Sequence, residues 1–180
     1  MAYKIRVILN AKTDVIRDIA IEQSETLEDL HNAITNAFGF SGHEMASFYK
    51  ADNEWNQGEE FPLFDMSEEN NEDTVMMSDV ILESVLTKPN QKLIYVYDFF
   101  NMWSFYVELI EIDFDATDFS LPSLVFSLGA IPKNAPDLVF EKNTKKTKKI
   151  EEDYDDLDDD VLDDDDLDDF DEYDDDIDAY

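Results

Sequence analysis

The chain has 180 residues, 46 of them acidic and 13 basic, and carries a formal net charge of −33 at pH 7. Because so anionic a surface repels phosphate backbones, we expect no direct binding to nucleic acid and we expect cationic proteins as partners. The absence of cysteine excludes disulfides and thiolate chemistry, and no apolar run approaches the about 18 residues of a membrane span, so we expect a cytoplasmic protein without a membrane segment.

The chain opens with a predicted β-hairpin. Apolar residues alternate over residues 3–9, and residues 15–22 are rich in β-branched side chains. The short linker at 10–14 joins the two strands.

A helix is predicted next. Thr26 and Asp29 stand at the spacing of a capping box, in which each side chain satisfies a backbone amide of the other residue. Gly39 supplies the stop. Apolar residues recur between them at helical spacing: Leu27, Leu30, Ile34, Ala37 and Phe38.

The middle of the chain has weaker signals. Residues 45–50 and 61–64 predict two short strands, and the acidic, Asn-rich stretch 65–73 predicts a loop. Ser78 is positioned to begin a short helix that runs through Leu86, where the following Lys-Pro-Asn sequence ends it.

Two strongly strand-like segments follow, at residues 92–99 and 103–112, and the tight turn at 100–102 makes them a second hairpin. Residues 121–128 are compatible with a short helix or with an extended segment. We therefore predict an α+β fold in which a β-hairpin and a helix pack on a mixed sheet, similar to a β-grasp fold, with the second hairpin extending the sheet.

The composition divides the chain into an α+β domain at 1–140, a Lys-rich linker at 141–150 and an acidic low-complexity tail at 151–180. The tail holds twenty acidic residues and no basic ones, which leaves 26 acidic and 13 basic residues, or −13, in residues 1–150. Like charges at this density oppose a packed core, so the tail is predicted to be a disordered, solvated arm.

Apolar residues in the tail recur in steps of three and four, which would align them on one helix face: Leu167, Phe170, Tyr173, Ile177 and Tyr180. Three interpretations stay open. The tail can be a solubilising arm, it can fold against a basic protein as it binds, or it can mimic the charge of DNA toward a DNA-binding protein.

Several short motifs resemble one known family. They are the pair Leu30-His31 in the helix that ends at Phe38-Gly39-Phe40, His43 just beyond it, and the segment Tyr97-Asp98-Phe99-Phe100-Asn101-Met102-Trp103. Over about residues 3–137 the chain resembles the plasmid Ri ORF-three-like family, whose members are also described as transposon-passenger, TnpR-like proteins. The resemblance implies an α+β domain, no established reaction, and an accessory role on mobile elements.

This sequence departs from the family pattern at the last segment. Phe100 replaces a Gly, Asn101 replaces an Asp, and Phe105 stands where a His commonly follows the Trp. Any polar site that these residues form in other members is therefore expected to be degenerate here.

The candidates for chemistry are few. His31, His43 and Asp98 form a set that can hold a metal or orient a general base if the fold brings them together. The aromatic residues of the second hairpin predict hydrophobic core, and Phe100 and Trp103, next to the turn, are the best candidates for exposed contact residues.

No catalytic or cofactor-binding motif is present, so we expect neither an enzyme nor a cofactor. The leading hypothesis is an interaction protein whose acidic tail contacts a basic protein partner. The alternatives are a small-ligand or metal-dependent activity near His31, His43 and Asp98, and a mobile-element accessory protein or DNA-charge mimic.

Overall fold

The computed structural model describes residues 1–65 and 74–136. In this part of the chain the strands are β1 Ala2–Leu9, β2 Ile16–Glu22, β3 Ala46–Ala51, β4 Gln57–Pro62, β5 Lys92–Tyr97, β6 Trp103–Ile112 and β7 Ser123–Leu128. The helices are α1 Leu27–Phe38 and the single turn α2 Leu82–Val85, with a 3-10 turn at Met77–Asp79.

The strands form one seven-stranded sheet in the order β4-β3-β5-β6-β1-β2-β7. Every neighbouring pair is antiparallel. The α+β class is confirmed, but the predicted mixed sheet is wrong, and so is the β-grasp arrangement, which requires a parallel pair. The physical reason is the crossover through α1, which joins β2 to β3, two strands that run in the same direction but have three other strands between them.

Both predicted hairpins are confirmed. In the first, Ile5 lies opposite Ile19, and in the second, Tyr95 lies opposite Phe105. The central pair β1–β6 then joins the two hairpins into one sheet.

Helix α1 begins and ends as its sequence predicts. The Thr26 hydroxyl accepts a hydrogen bond from the Asp29 amide (3.2 Å), and the Asp29 carboxylate accepts one from the Thr26 amide (2.9 Å). Gly39 ends the helix in the left-handed region with φ of 70°, which costs a residue without a Cβ little.

The core lies between α1 and one face of the sheet. Alternate residues of each strand point to this face, so Tyr3, Ile5, Val7 and Leu9 of β1 are all buried. The opposite face carries polar side chains among apolar ones. There Arg6 makes two 2.8 Å hydrogen bonds to the buried Asp18 carboxylate of β2.

Two weaker predictions need correction, and one open alternative is decided by the structure. The helix predicted from Ser78 through Leu86 is broken, because the chain around Ile81 pairs with the residues before α1. Ile81 forms a β-bridge with Thr26, and the Leu82 amide donates to the Glu25 carbonyl (2.8 Å).

The strand predicted at 61–64 is β4, which lies earlier, at Gln57–Pro62, because its pairing with β3 sets its bounds. The ambiguous segment 121–128 is extended and forms β7. Pairing with β2 makes it the edge of the sheet.

The chain divides into the units Met1–Glu141 and Lys142–Tyr180. The second unit lies outside the described residues, as do the linker, the tail and most of the loop predicted at 65–73. Their predicted boundaries and the tail's apolar stripe stay predictions. Within the described ranges, no helix combines the length and apolar character that a bilayer crossing requires.

Candidate functional site

His31 is a core residue of α1. Its Nδ1 shares a 2.7 Å hydrogen bond with the Tyr95 hydroxyl of β5, and both side chains are buried. Burial lowers the pKa of His31, opposed by a backbone hydrogen bond with Gly42, and burial raises the pKa of Tyr95 well above its usual value. A neutral imidazole that is enclosed in this way holds α1 against the sheet and is not open to a ligand.

Tyr97, two residues along β5, ties down the loop that follows α1. Its hydroxyl accepts a hydrogen bond from the Gly42 amide (3.1 Å) and shares one with the Ser41 hydroxyl (3.2 Å). In the described part of the chain every buried side-chain nitrogen and oxygen has a hydrogen-bond partner. These groups are therefore satisfied as a structural network.

Asp98 organises the turn between β5 and β6. Its carboxylate accepts hydrogen bonds from the amides of Phe100 and Asn101, each 3.2 Å, and from the Asn101 side-chain amide at 2.6 Å. The Asn101 side chain contributes most to lowering the pKa of Asp98. Asp98 and Met102 have positive φ, 56° and 58°, so the Asp98 carboxylate serves to hold an unusual backbone.

The three residues proposed for metal or acid-base chemistry have separate roles. His31 is buried against Tyr95, Asp98 is bonded within its own turn, and His43 is exposed in the loop after α1. Across residues 1–65 and 74–136, no three His, Asp or Glu side chains are grouped so that they could hold a metal ion. The structure thus does not bring His31, His43 and Asp98 together as a metal-binding group.

Phe100 and Trp103, the two predicted contact residues, differ in exposure. Phe100 is 94% exposed at the turn, whereas Trp103 is only 8% exposed and packs against Phe40 at a ring distance of 4.9 Å. Trp103 as an exposed contact residue is therefore a wrong prediction. The reason is Phe40, which stacks on Tyr97 (5.0 Å, 9°) and covers the start of β6.

An open hollow of about 420 Å³ borders this aromatic group. Phe40, Tyr97 and Trp103 form its apolar lining, and Glu44, Asp98 and Lys133 contribute polar groups. We name it the aromatic hollow. Phe40 belongs to a motif that resembles the family, but nothing in the sequence assigned Phe40, Glu44 or Lys133 to a site, because they come from segments that only the tertiary structure places together.

The turn and the chain beside it also present apolar side chains to solvent. Phe99 and Phe64 line a second hollow of about 250 Å³, while Met102 faces a third with Trp55 and Tyr106. Phe100 lies between Phe99 and Met102 along the turn. We name Phe64, Phe99, Phe100 and Met102 the apolar tip; all four are exposed.

Sequence reasoning missed Tyr95 as the partner of His31 and Phe64 as part of the apolar tip. The alternation of β5 did place Tyr95 on a buried face, which was the available signal. Nothing in the sequence indicated that Phe64, in a connecting segment, lies beside the turn.

A family model described as plasmid pRiA4b ORF-3-like protein matches residues 1–177. A comparison with curated proteins gave no match. Among solved structures, the chain is similar to a crystal structure titled protein of unknown function MM3350, from Methanosarcina mazei Go1. The TM-score is 0.57 at 18% identity over 70% of this chain and 68% of that one, which is a likeness of fold.

Proposed function

The chain belongs to the plasmid pRiA4b ORF-3-like family, and from that premise we propose that it is a non-enzymatic interaction protein of the cytoplasm that binds a basic protein partner. The acidic tail and the apolar tip are the two contact elements. The tail supplies long-range attraction, and the tip supplies short-range contact.

One observation carries the proposal: a fully exposed Phe100 stands on a turn that its own hydrogen bonds hold in place, in an acidic domain. A lone exposed apolar residue needs no explanation, but Phe100 is accompanied by three further exposed apolar side chains in the apolar tip. Because Asp98 already orders the turn, binding there loses little conformational entropy.

Charge supports the choice of partner. Residues 1–150 carry −13 and the tail adds twenty carboxylates. Carboxylates also border the apolar surfaces, with Glu60 and Asp65 lining the hollow of Phe99, and Glu44 the aromatic hollow. Such a field accelerates encounter with cationic proteins and discourages acidic ones.

The test is affinity purification of partners from native cells with the full chain, followed by measurement of the dissociation constant at several salt concentrations. We expect deletion of residues 151–180 to weaken binding and to flatten its salt dependence, because the deletion removes the charges that salt screens. Phe100→Ser should weaken binding about tenfold at every salt concentration, the scale of one interface anchor.

Phe119→Ser is the matched control, because Phe119 is an exposed phenylalanine outside the apolar tip. The proposal is contradicted if the set of partners is unchanged without the tail and Phe100→Ser behaves like Phe119→Ser. If duplex DNA releases the partner, the DNA-charge mimic and mobile-element alternatives are favoured over a general basic partner.

A small-ligand function has one supporting feature, the aromatic hollow of about 420 Å³ beside Asp98. Its size suits a compact ligand. It has less support than protein binding because His31 and Asp98 are both engaged in hydrogen bonds within the fold.

A further inference from the structure

The two edges of the sheet differ in how they are protected against pairing. β4 carries Glu59, Glu60 and Pro62, and Glu59 forms an ion pair with Lys50 of β3 at 2.5 Å. Charged residues and proline are the usual means by which edge strands avoid pairing with another chain. β7, at the other edge, reads Ser-Leu-Val-Phe-Ser-Leu and has neither a charge nor a proline.

The side chains of β7 are also unusually open. Leu124, Phe126 and Leu128 are 45%, 44% and 47% exposed. Register with β2 places Phe126 opposite Asp18 and Leu128 opposite Ile16, on the face away from α1. Leu124 lies opposite Ile19, on the helix face. Among residues 1–65 and 74–136, no strand pairs with the outer side of β7. Both faces of this edge therefore offer apolar surface.

The rest of the domain holds β7 in place. β7 is paired with β2 along its length. In addition, the Arg17 guanidinium donates hydrogen bonds to the carbonyls of Leu128 (2.7 Å) and Gly129 (3.1 Å). Arg17 is buried and lies over the Phe38 ring, 5.3 Å from its centre. The strand is thus preorganised, and a new strand can add to it without first ordering it.

We propose that β7 pairs antiparallel with β7 of a second copy of this chain, across a two-fold axis, so that two seven-stranded sheets become one. The interface is isologous: each β7 is at once the template and the added strand. This inference does not depend on the proposed basic partner, which uses the tail and the apolar tip.

Charge selects the second copy as the occupant. A cationic strand would find no carboxylate on β7, and the nearest one in the register, Asp18, is already bonded to Arg6. An acidic strand would be repelled by a domain of −13. A second β7 is uncharged and apolar, so it matches the edge, and the repulsion between the two acidic domains acts at longer range, where salt screens it.

Because salt screens this repulsion, we expect the dimer to become more stable as the salt concentration rises. Sedimentation velocity of the full chain should show a monomer-dimer equilibrium that tightens about tenfold between 20 and 500 mM NaCl. An interface based on opposite charges would weaken over the same range. Phe126→Lys, which places two cations beside the axis, should raise the dimer dissociation constant tenfold or more.

Phe119→Lys is the matched control, since Phe119 is 41% exposed and lies outside any strand; it should leave the dimer unchanged. Should Phe126→Lys fail to fold, hydrogen exchange of the unmodified chain replaces it, with β7 amides becoming protected as protein concentration rises. A chain that stays monomeric at 200 µM in both salts overturns the proposal. So does protection of β7 at all concentrations, which would mean that another segment of the same chain covers the edge.

Discussion

His31 illustrates how a residue suited to chemistry is used for stability. Its ring bonds to the Tyr95 hydroxyl, lies edge-on to Tyr95 at 5.9 Å, and is buried between α1 and β5. A buried imidazole in this setting favours the neutral form, because protonation would create a cation that is shielded from water.

We expect this burial to make the fold sensitive to mild acid. Because the pKa of His31 is lowered in the folded state, the unfolded chain takes up the proton first, at about pH 6.5. The stabilising contribution is therefore complete above that pH and is lost as the pH falls toward the folded-state pKa. The free energy of unfolding should fall by up to about 1.4 kcal/mol per pH unit in that window.

Chemical denaturation between pH 7.5 and 5.5 measures how the free energy of unfolding changes with pH. The same measurement on His31→Asn should show a weaker pH dependence. His43→Asn is the matched control, because His43 is exposed, and it should retain the wild-type slope. Equal slopes for all three proteins would mean that burial of His31 does not govern the acid response.

At the scale of elements, Gly39 and Gly129 have nearly the same φ but different surroundings. Gly39 ends α1 with φ of 70°, and Gly129 follows β7 with φ of 79°. A Cβ at Gly39 would meet no atom within 4 Å, whereas one at Gly129 would lie 2.0 Å from the Asp14 backbone carbonyl.

Gly39→Ala should therefore cost only the left-handed conformation, about 1–2 kcal/mol in the free energy of unfolding. Gly129→Ala should cost more than about 3 kcal/mol, because the clash is with backbone and β7 must shift away from β2. Thermal or urea denaturation of the two variants compares them directly. Similar losses would contradict the close approach of Gly129 to Asp14.

At the scale of the whole molecule, charge is the dominant fact. The −13 of residues 1–150 makes the folded domain repel itself more than the expanded chain does. We expect the melting temperature to rise by several degrees between 10 and 200 mM NaCl, as the Debye length falls from about 30 to below 10 Å.

Differential scanning calorimetry at both salt concentrations checks this prediction. A repeat near pH 4, where a large share of the carboxylates is protonated, should show a smaller rise. A melting temperature that falls with salt would mean that ion pairs such as Arg6–Asp18 outweigh the repulsion.

Prediction from sequence succeeded where the signal is local. The capping box at Thr26, the glycine stop at Gly39 and the alternation of β1 each depend on neighbours within a few residues, and all are present in the structure. The break at Ile81 was missed because it results from a bridge to Thr26, 55 positions away along the chain.

The candidate site follows the same division. The turn between β5 and β6 was predicted from the sequence at residues 100–102, and Phe100 was correctly expected at the surface. Trp103 was wrongly expected to be exposed, because its burial depends on Phe40, which follows the end of α1.

Composition, periodicity and capping signals established the acidic character, the two hairpins and the first helix, since these follow from residue chemistry and short-range spacing. The resemblance to a family came separately, from short motifs. Tertiary packing decided the strand order, the all-antiparallel pairing, the hydrogen bond between His31 and Tyr95, and the position of β7 at an uncharged edge. Those features join segments far apart in the chain, and contacts at that separation are selected by how the buried surfaces fit together.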